Sequence, residues 1–240
     1  MAEQSELKKI LGTYAVDHYV KDGMKLGLGT GSTAIWALRR VAERLSEGSL
    51  KGIRTVVTSL QSELEARGSG IPVLTLNDSA MEDGVDLVID GADEVDPAGN
   101  MIKGGGGALL MEKILAYNAR SLLIIVDHTK LSDKLCQRFA IPVEVVADAV
   151  APVRRRLQKM GGEVALRMAV KKAGPVVTDL GNLLLDVTFR GDFDPGEMER
   201  ELKLIPGVLE NGLFTRQPPG LLIGRADGTV EVRGATPRQP

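Results

Sequence analysis

Residues 24–45, Met-Lys-Leu-Gly-Leu-Gly-Thr-Gly-Ser-Thr-Ala-Ile-Trp-Ala-Leu-Arg-Arg-Val-Ala-Glu-Arg-Leu, pass from an apolar strand through a glycine-rich turn into an amphipathic helix. Met24 to Leu28 has the short apolar run of a strand, and Gly29 to Thr33 the composition of its loop. Ala34 to Leu45 follows helical periodicity, with Trp36, Leu38, Val41 and Leu45 expected inward. That is one β-loop-α unit. Further strands are expected at Ile53 to Thr58, Val73 to Thr75, Leu87 to Ile89 and Leu122 to Val126. Helices are expected at Ser5 to Val20, Leu60 to Arg67 and Ala108 to Ala119. Alternation of this kind predicts an α/β fold with a Rossmann-like, mostly parallel sheet covered by helices.

After Lys130 the rhythm changes to strand (Val143 to Val146), helix (Ala149 to Met160), strands (Val164 to Val170, Leu183 to Thr188) and helix (Pro195 to Leu204). This βαββα order predicts a smaller α+β, ferredoxin-like domain. The tail, Val208 to Phe214 and Leu221 to Val232 with Asp227-Gly228 as hairpin turn, suits either sheet and is expected to return to the first. The expected division is therefore residues 1–130 with 206–240 as an α/β catalytic domain, and 131–205 as a lid or oligomerisation domain.

The composition excludes several classes. A chain of 240 residues with 43% hydrophobic and 26% charged residues can bury a sizeable core, and a net charge of −2 predicts neither nucleic acid nor a membrane as partner. The single cysteine, Cys136, precludes an internal disulfide framework. No apolar run reaches the ~18 residues of a membrane span. The first residues lack a signal-peptide core, so a cytoplasmic location is expected.

Three segments carry the candidate chemistry. Gly29-Thr30-Gly31-Ser32-Thr33-Ala34 fits G-x-G-x-x-A, but Thr58-Ser59 stands where a dinucleotide ribose needs a carboxylate. What remains is a glycine turn with Thr30, Ser32 and Thr33 hydroxyls at a helix N-terminus, suited to one phosphate. Asp90-Gly91-Ala92-Asp93-Glu94-Val95-Asp96 follows an apolar strand. Its carboxylates fit acid/base or hydroxyl-binding work, a Mg²⁺ site, or a solvated acidic turn. The small Gly91 and Ala92 favour function for Asp90 and Asp93, whereas Glu94 and Asp96 read as solvated. With only carboxylates to offer a hard cation, no metal is expected.

Lys103 opens the run Gly104-Gly105-Gly106-Gly107. Each glycine costs roughly 0.5 to 1 kcal/mol relative to alanine in regular structure, so the run marks backbone that takes positive φ or lies close to a ligand. A cation beside its amides would complete an oxyanion pocket. Glu112 lies on the helix after it, where an exposed carboxylate is the simpler reading. Lys130 follows another apolar strand, and spacing does not decide its role.

Gly-Thr-Gly-Ser-Thr at 29–33, Asp-Gly-Ala-Asp-Glu at 90–94 and Lys-Gly-Gly-Gly-Gly-Ala at 103–108, in this order and spacing, resemble ribose-5-phosphate isomerase type A. Glu-Leu-Lys-Lys near the start, Pro-Val-Glu-Val at 142–145 and Ile-Pro-Gly-Val at 205–208 extend the resemblance. Leu135-Cys136-Gln137 departs from it where a leucine-glycine pair is common. The resemblance implies interconversion of D-ribose 5-phosphate and D-ribulose 5-phosphate through an enediol, in the non-oxidative pentose phosphate pathway, without cofactor or metal. It implies Glu112 as base, Lys103 with the Gly104 to Gly106 amides as donors to O1 and O2, and Asp90 and Asp93 on substrate hydroxyls. Thr30 to Thr33, Lys130 and Lys8 would contact phosphate. The family tends to form homodimers or homotetramers. Two alternatives remain: a sugar-phosphate-sensing domain of a regulator, and an acyl-CoA transferase-like enzyme using Glu112 as nucleophile.

Overall fold

The computed structural model describes residues 2–234. The chain runs α1 (Ala2–Tyr19), β1 (Lys25–Leu28), α2 (Ala34–Ser46), β2 (Arg54–Val57), α3 (Leu60–Gly68), β3 (Val85–Asp90), β4 (Glu94–Val95), β5 (Met101–Ile102), α4 (Leu109–Tyr117) and β6 (Ala119–Asp127). It continues through β7 (Ile141–Val145), α5 (Val150–Lys159), β8 (Gly162–Leu166), β9 (Leu183–Phe189), α6 (Pro195–Lys203), β10 (Val208–Asn211), β11 (Leu213–Phe214), β12 (Gly220–Gly224) and β13 (Val230–Arg233). Two compact units result. One comprises residues up to Gly91, Met111–Lys130 and the chain from Gln217; the other comprises Ala92–Leu110 and Leu131–Arg216.

The first unit is built on a sheet of order β13-β12-β6-β3-β1-β2. Its first strand pair, β1 with β2, is parallel, as are β1 with β3, β3 with β6 and β6 with β12. Only the β12-β13 hairpin is antiparallel, and it turns at Asp227-Gly228 with Gly228 at φ 84°. The central strands read as unbroken apolar runs because both faces are covered. Leu26, Leu28, Leu87, Ile89, Leu123, Ile125 and Leu222 share a core with Leu11, Ala15, Leu38 and Val41 of the helices.

Two expectations change here. Ala34, Ala37, Leu38 and Val41 form the buried face of α2, whereas Trp36 is half-buried with the Arg39 guanidinium 5.0 Å from its ring. The reason is a close crossing: a Cβ on Gly12 of α1 would meet Ala37 N and Trp36 Cβ at 2.6 Å, so only small groups fit between the helices. The strand expected at Val73 to Thr75 shrinks to one bridge, Val73 to Thr55, because Pro72 before it has no N–H to add to a ladder.

The second unit holds a four-stranded antiparallel sheet of order β10-β7-β9-β8, with α5 and α6 in the connections. The expected βαββα is thus completed by β10 into the full ferredoxin-like βαββαβ. The tail therefore divides differently from the expected boundary at residue 206. Val208 to Phe214 pairs within the second unit, β10 on β7 and β11 on β5, while β12 and β13 join the large sheet. Residues 92–110 also group with the second unit. Their short β4 and β5 form a three-stranded sheet with β11, and Ile102 of β5 packs into the core of Ile141, Val143 and Leu213. Among the described residues no helix is long and apolar enough to cross a membrane.

Candidate active site

In the first unit the strand order reverses direction at β1: β2 lies on one side and β3 on the other. Ligands bind open α/β sheets beyond the strand ends at such a point. The Gly29 to Thr33 loop leaves β1 there and Asp90 ends β3 beside it. Asp90 is 1% exposed, and its Oδ1 accepts from the amides of Thr30 (3.2 Å) and Gly91 (2.7 Å). Gly31, at φ 102°, supplies the left-handed turn into α2.

The loop hydroxyls separate into two kinds. Thr30 Oγ1 faces inward, 2.6 Å from Thr58 Oγ1 and donating to Ser59 Oγ at 2.7 Å, while Ser62 Oγ donates to the Gly29 carbonyl at 2.7 Å. This network clamps the β1 loop to the start of α3. The Thr58-Ser59 hydroxyls, noted only for what they replace, are its signal in the sequence. Ser32 is exposed, and Lys8 Nζ donates to its Oγ at 2.9 Å, so α1 brings a cation to the loop. Thr33 is the N-cap residue of α2 and its side chain makes no capping bond. Lys130 ends the 3₁₀ turn His128–Lys130 after β6. Asp127 opens that turn by accepting from the Thr129 amide (3.0 Å) and hydroxyl. Burial alone raises the Asp127 carboxyl pKa. The Thr129 hydrogen bonds, the Lys130 charge and the Gln4 side chain outweigh it and hold the group below the ordinary carboxylate range.

Glu112, in the first turn of α4, is 4% exposed, which overturns its reading as a solvated helix residue. Lys113 beside it is buried too, with Nζ 5.8 Å from the Tyr117 ring. A carboxylate taken out of water in the first turn of a helix marks a candidate for chemistry.

The second unit carries Ala92, Asp93, Lys103 and the glycine run. Asp93 Oδ2 accepts from the Gly105 amide at 2.7 Å. Gly105 has no room for a side chain, since a Cβ would lie 2.8 Å from Asp93 Oδ1 and 2.9 Å from Phe139 Cζ. Gly104 sits at φ 104°, and Gly105 and Gly106 face solvent. Lys103 is 2% exposed, with Nζ 5.5 Å from the Phe214 ring, a cation–π contact within a buried setting.

Glu94 is not a solvated acid, and Asp96 is half-buried. Glu94 is 1% exposed and accepts from Ser132 Oγ (2.7 Å) and from the amides of Cys136, Gln137 and Arg138 (2.8, 3.2 and 3.1 Å). Asp96 closes the β4-β5 turn by accepting from the Asn100 amide and side chain, each at 2.8 Å. Both hold backbone in place. Among the described residues no group of three or more His, Cys, Asp or Glu is arranged to hold a metal ion.

Residues 54–228 match the family described as ribose 5-phosphate isomerase A (phosphoriboisomerase A). The chain belongs to the ribose 5-phosphate isomerase A family. A ribose-5-phosphate isomerase A of Treponema denticola is 44% identical over 236 residues, covering 95% of this chain and 99% of its own. One from Thermosynechococcus vestitus is 48% identical over 229 residues, covering 95% of each. The solved ribose 5-phosphate isomerase A of Methanocaldococcus jannaschii superposes with a TM-score of 0.89 at 42% identity, over 96% of this chain and 99% of that one. A D-ribose-5-phosphate isomerase in complex with phospho-erythronic acid gives 0.90 at 41% identity, over 96% and 98%. In this isomerase A chain the departure at Cys136 has a backbone meaning. Cys136 adopts φ 66°, the left-handed region that favours glycine, because its amide and the two that follow turn together toward Glu94. Its thiol is buried, and burial raises its pKa, so it is not an activated nucleophile.

Proposed function

We propose that this chain interconverts D-ribose 5-phosphate and D-ribulose 5-phosphate by moving a proton between C2 and C1 through an enediol. The observation that carries the reading is the match, over 96% of the chain, to a D-ribose-5-phosphate isomerase bound to phospho-erythronic acid. That ligand is a phosphorylated sugar acid whose planar carboxylate has the shape and charge of an enediolate.

The residues take roles that their settings support. The phosphate is held at Gly31, Ser32 and Thr33 with Lys8 and Lys130, where the α2 N-terminus and a cation already at Ser32 favour an anion. Thr30 keeps the loop in shape through the Thr58 and Ser59 hydroxyls. Glu112, buried in α4, removes and returns the proton. Lys103 and the amides of the Gly104 to Gly106 loop stabilise charge on O1 and O2, which makes the reaction metal-independent. Asp90 and Asp93 hold substrate hydroxyls and relay protons during ring opening. The working assembly is a homodimer or homotetramer in the cytoplasm; light scattering and cell fractionation would test both statements.

Incubation of the purified chain with ribose 5-phosphate alone tests the reading. Ketose should form without a second substrate and after prolonged EDTA treatment, and unphosphorylated ribose should turn over far more slowly. A sugar-phosphate sensor would bind without turnover, and an acyl-transfer enzyme would need acyl-CoA. Activity lost to EDTA and restored by Mg²⁺ would make the acidic segment a metal site.

A further inference from the structure

Arg167, which directly follows β8 and which the sequence does not single out, reaches the glycine loop of its own unit. Its Nη1 donates to the carbonyls of Gly104 (2.9 Å) and Gly105 (3.1 Å). Its other edge is held by Asp186 of β9, Nε to Oδ2 at 2.9 Å and Nη2 to Oδ1. The Arg167 side chain is 16% exposed, so this fork is mostly removed from water. Only a guanidinium can present a two-pronged edge to a carboxylate and keep another nitrogen for two carbonyls.

The peptide between Gly104 and Gly105 is thereby held at both ends. Its carbonyl points to Arg167, while its N–H points to Asp93 Oδ2 at 2.7 Å. A trans peptide is planar, so the two groups face opposite ways and cannot be turned independently. Arg167 also takes the next carbonyl, that of Gly105, which directs the Gly106 N–H to the opposite side. Glycine lacks a side chain to limit its own rotation, and Gly104 is held at φ 104°. The constraint must come from neighbours.

We propose that Arg167, anchored by Asp186, is a positioning residue. It sets the peptide planes of Gly104 to Gly106 and, through the Gly105 N–H, the orientation of the Asp93 carboxylate. The inference rests on the reading in which Asp93 and the glycine-loop amides act on substrate.

Two measurements test it on the full chain. With uniform ¹⁵N labelling, exchange of the Gly105 amide should quicken at least about tenfold in Arg167→Lys, while core amides such as that of Leu222 hold their rates. In steady state, Arg167→Lys, Arg167→Ala and Asp186→Asn should lower kcat for ribose 5-phosphate about 10- to 100-fold with KM within about threefold, because the loop, not the phosphate grip, is misplaced. Guanidinium chloride at millimolar levels should restore part of kcat to Arg167→Ala, where ammonium chloride should not. A merely structural role would lower the melting temperature without this split or this rescue. Unchanged Gly105 exchange in Arg167→Lys overturns the geometric claim, and wild-type kcat in all three variants overturns the functional one. If Arg167→Ala does not fold, Arg167→Lys and Asp186→Asn decide. Asp93→Asn at wild-type kcat would instead overturn the role given to Asp93, a result that leaves the exchange measurement standing.

Discussion

Asp90 Oδ1 lies 1.9 Å from the point that a Cβ on Gly29 would occupy. The glycine that begins the phosphate loop and the carboxylate that ends β3 are therefore one packed object, and neither can be altered without the other. The Gly29 amide donates to the Ile89 carbonyl at 2.9 Å and Thr30 N to Asp90 Oδ1, so backbone bonds hold the approach closed.

Gly29→Ala should consequently displace Asp90 or the loop. The expected cost is about 1–3 kcal/mol of stability, typical of overpacking, with a fall in kcat/KM on the order of 10². Urea denaturation and steady-state assay check it. A variant with both values near wild type would remove Asp90 and the loop from the site.

Glu112→Gln preserves size and hydrogen-bonding capacity but cannot accept a proton. If Glu112 is the base, kcat should fall by about 10² to 10⁴ with KM little changed, and exchange of the C2 proton with solvent deuterium should fall in parallel. Near-normal exchange would move the base to Asp90 or Asp93.

Glu94→Gln should act on stability. Gln can keep one acceptor oxygen toward Ser132, Gln137 and Arg138, but its NH₂ would then face the Cys136 amide, donor against donor. Replacing a charge-assisted acceptor in a buried setting should cost about 2–3 kcal/mol, read as a lower urea midpoint. An unchanged midpoint would mean the carboxylate does not hold the 136–138 turn.

Glu144 gives a pH signature. It sits in β7 opposite Glu210 of β10 and accepts from Thr178 Oγ1 (2.8 Å) and Asn182 Nδ2 (2.9 Å). Lys203 Nζ lies 3.0 Å from Glu210 Oε2. Burial, with the nearby charges of Glu210 and Asp179, raises the Glu144 pKa despite the two hydrogen bonds. The folded state thus holds the proton more tightly than the unfolded one. This contribution to stability is present below the unfolded value near 4.5 and is lost as pH rises through the raised folded value. Glu144→Gln removes that loss, so its stability relative to wild type should rise between pH 4 and pH 8 in urea melts. A relative stability that falls over this range would contradict the assignment.

The strand-loop-helix at Met24 to Leu45, the βαββα pattern after Lys130 and the three glycine-and-acid motifs were legible because each is local. Periodicity and turn chemistry act over a few residues, and those residues are adjacent in the chain. Tertiary structure decided matters of distance along the chain. Glu112 and Glu94 read alike as exposed acids, yet both are buried, one beside buried Lys113 on α4 and the other against amides some 42 residues away. Cys136 at φ 66° is explained only by that same carboxylate. The division of the tail between two sheets depended on hydrogen-bond partners, since an apolar strand pairs equally well with any exposed edge until the rest of the chain has used the others. Arg167 had no signal at all, because a guanidinium reveals its purpose only through the carbonyls it meets, and these are 62 and 63 residues distant.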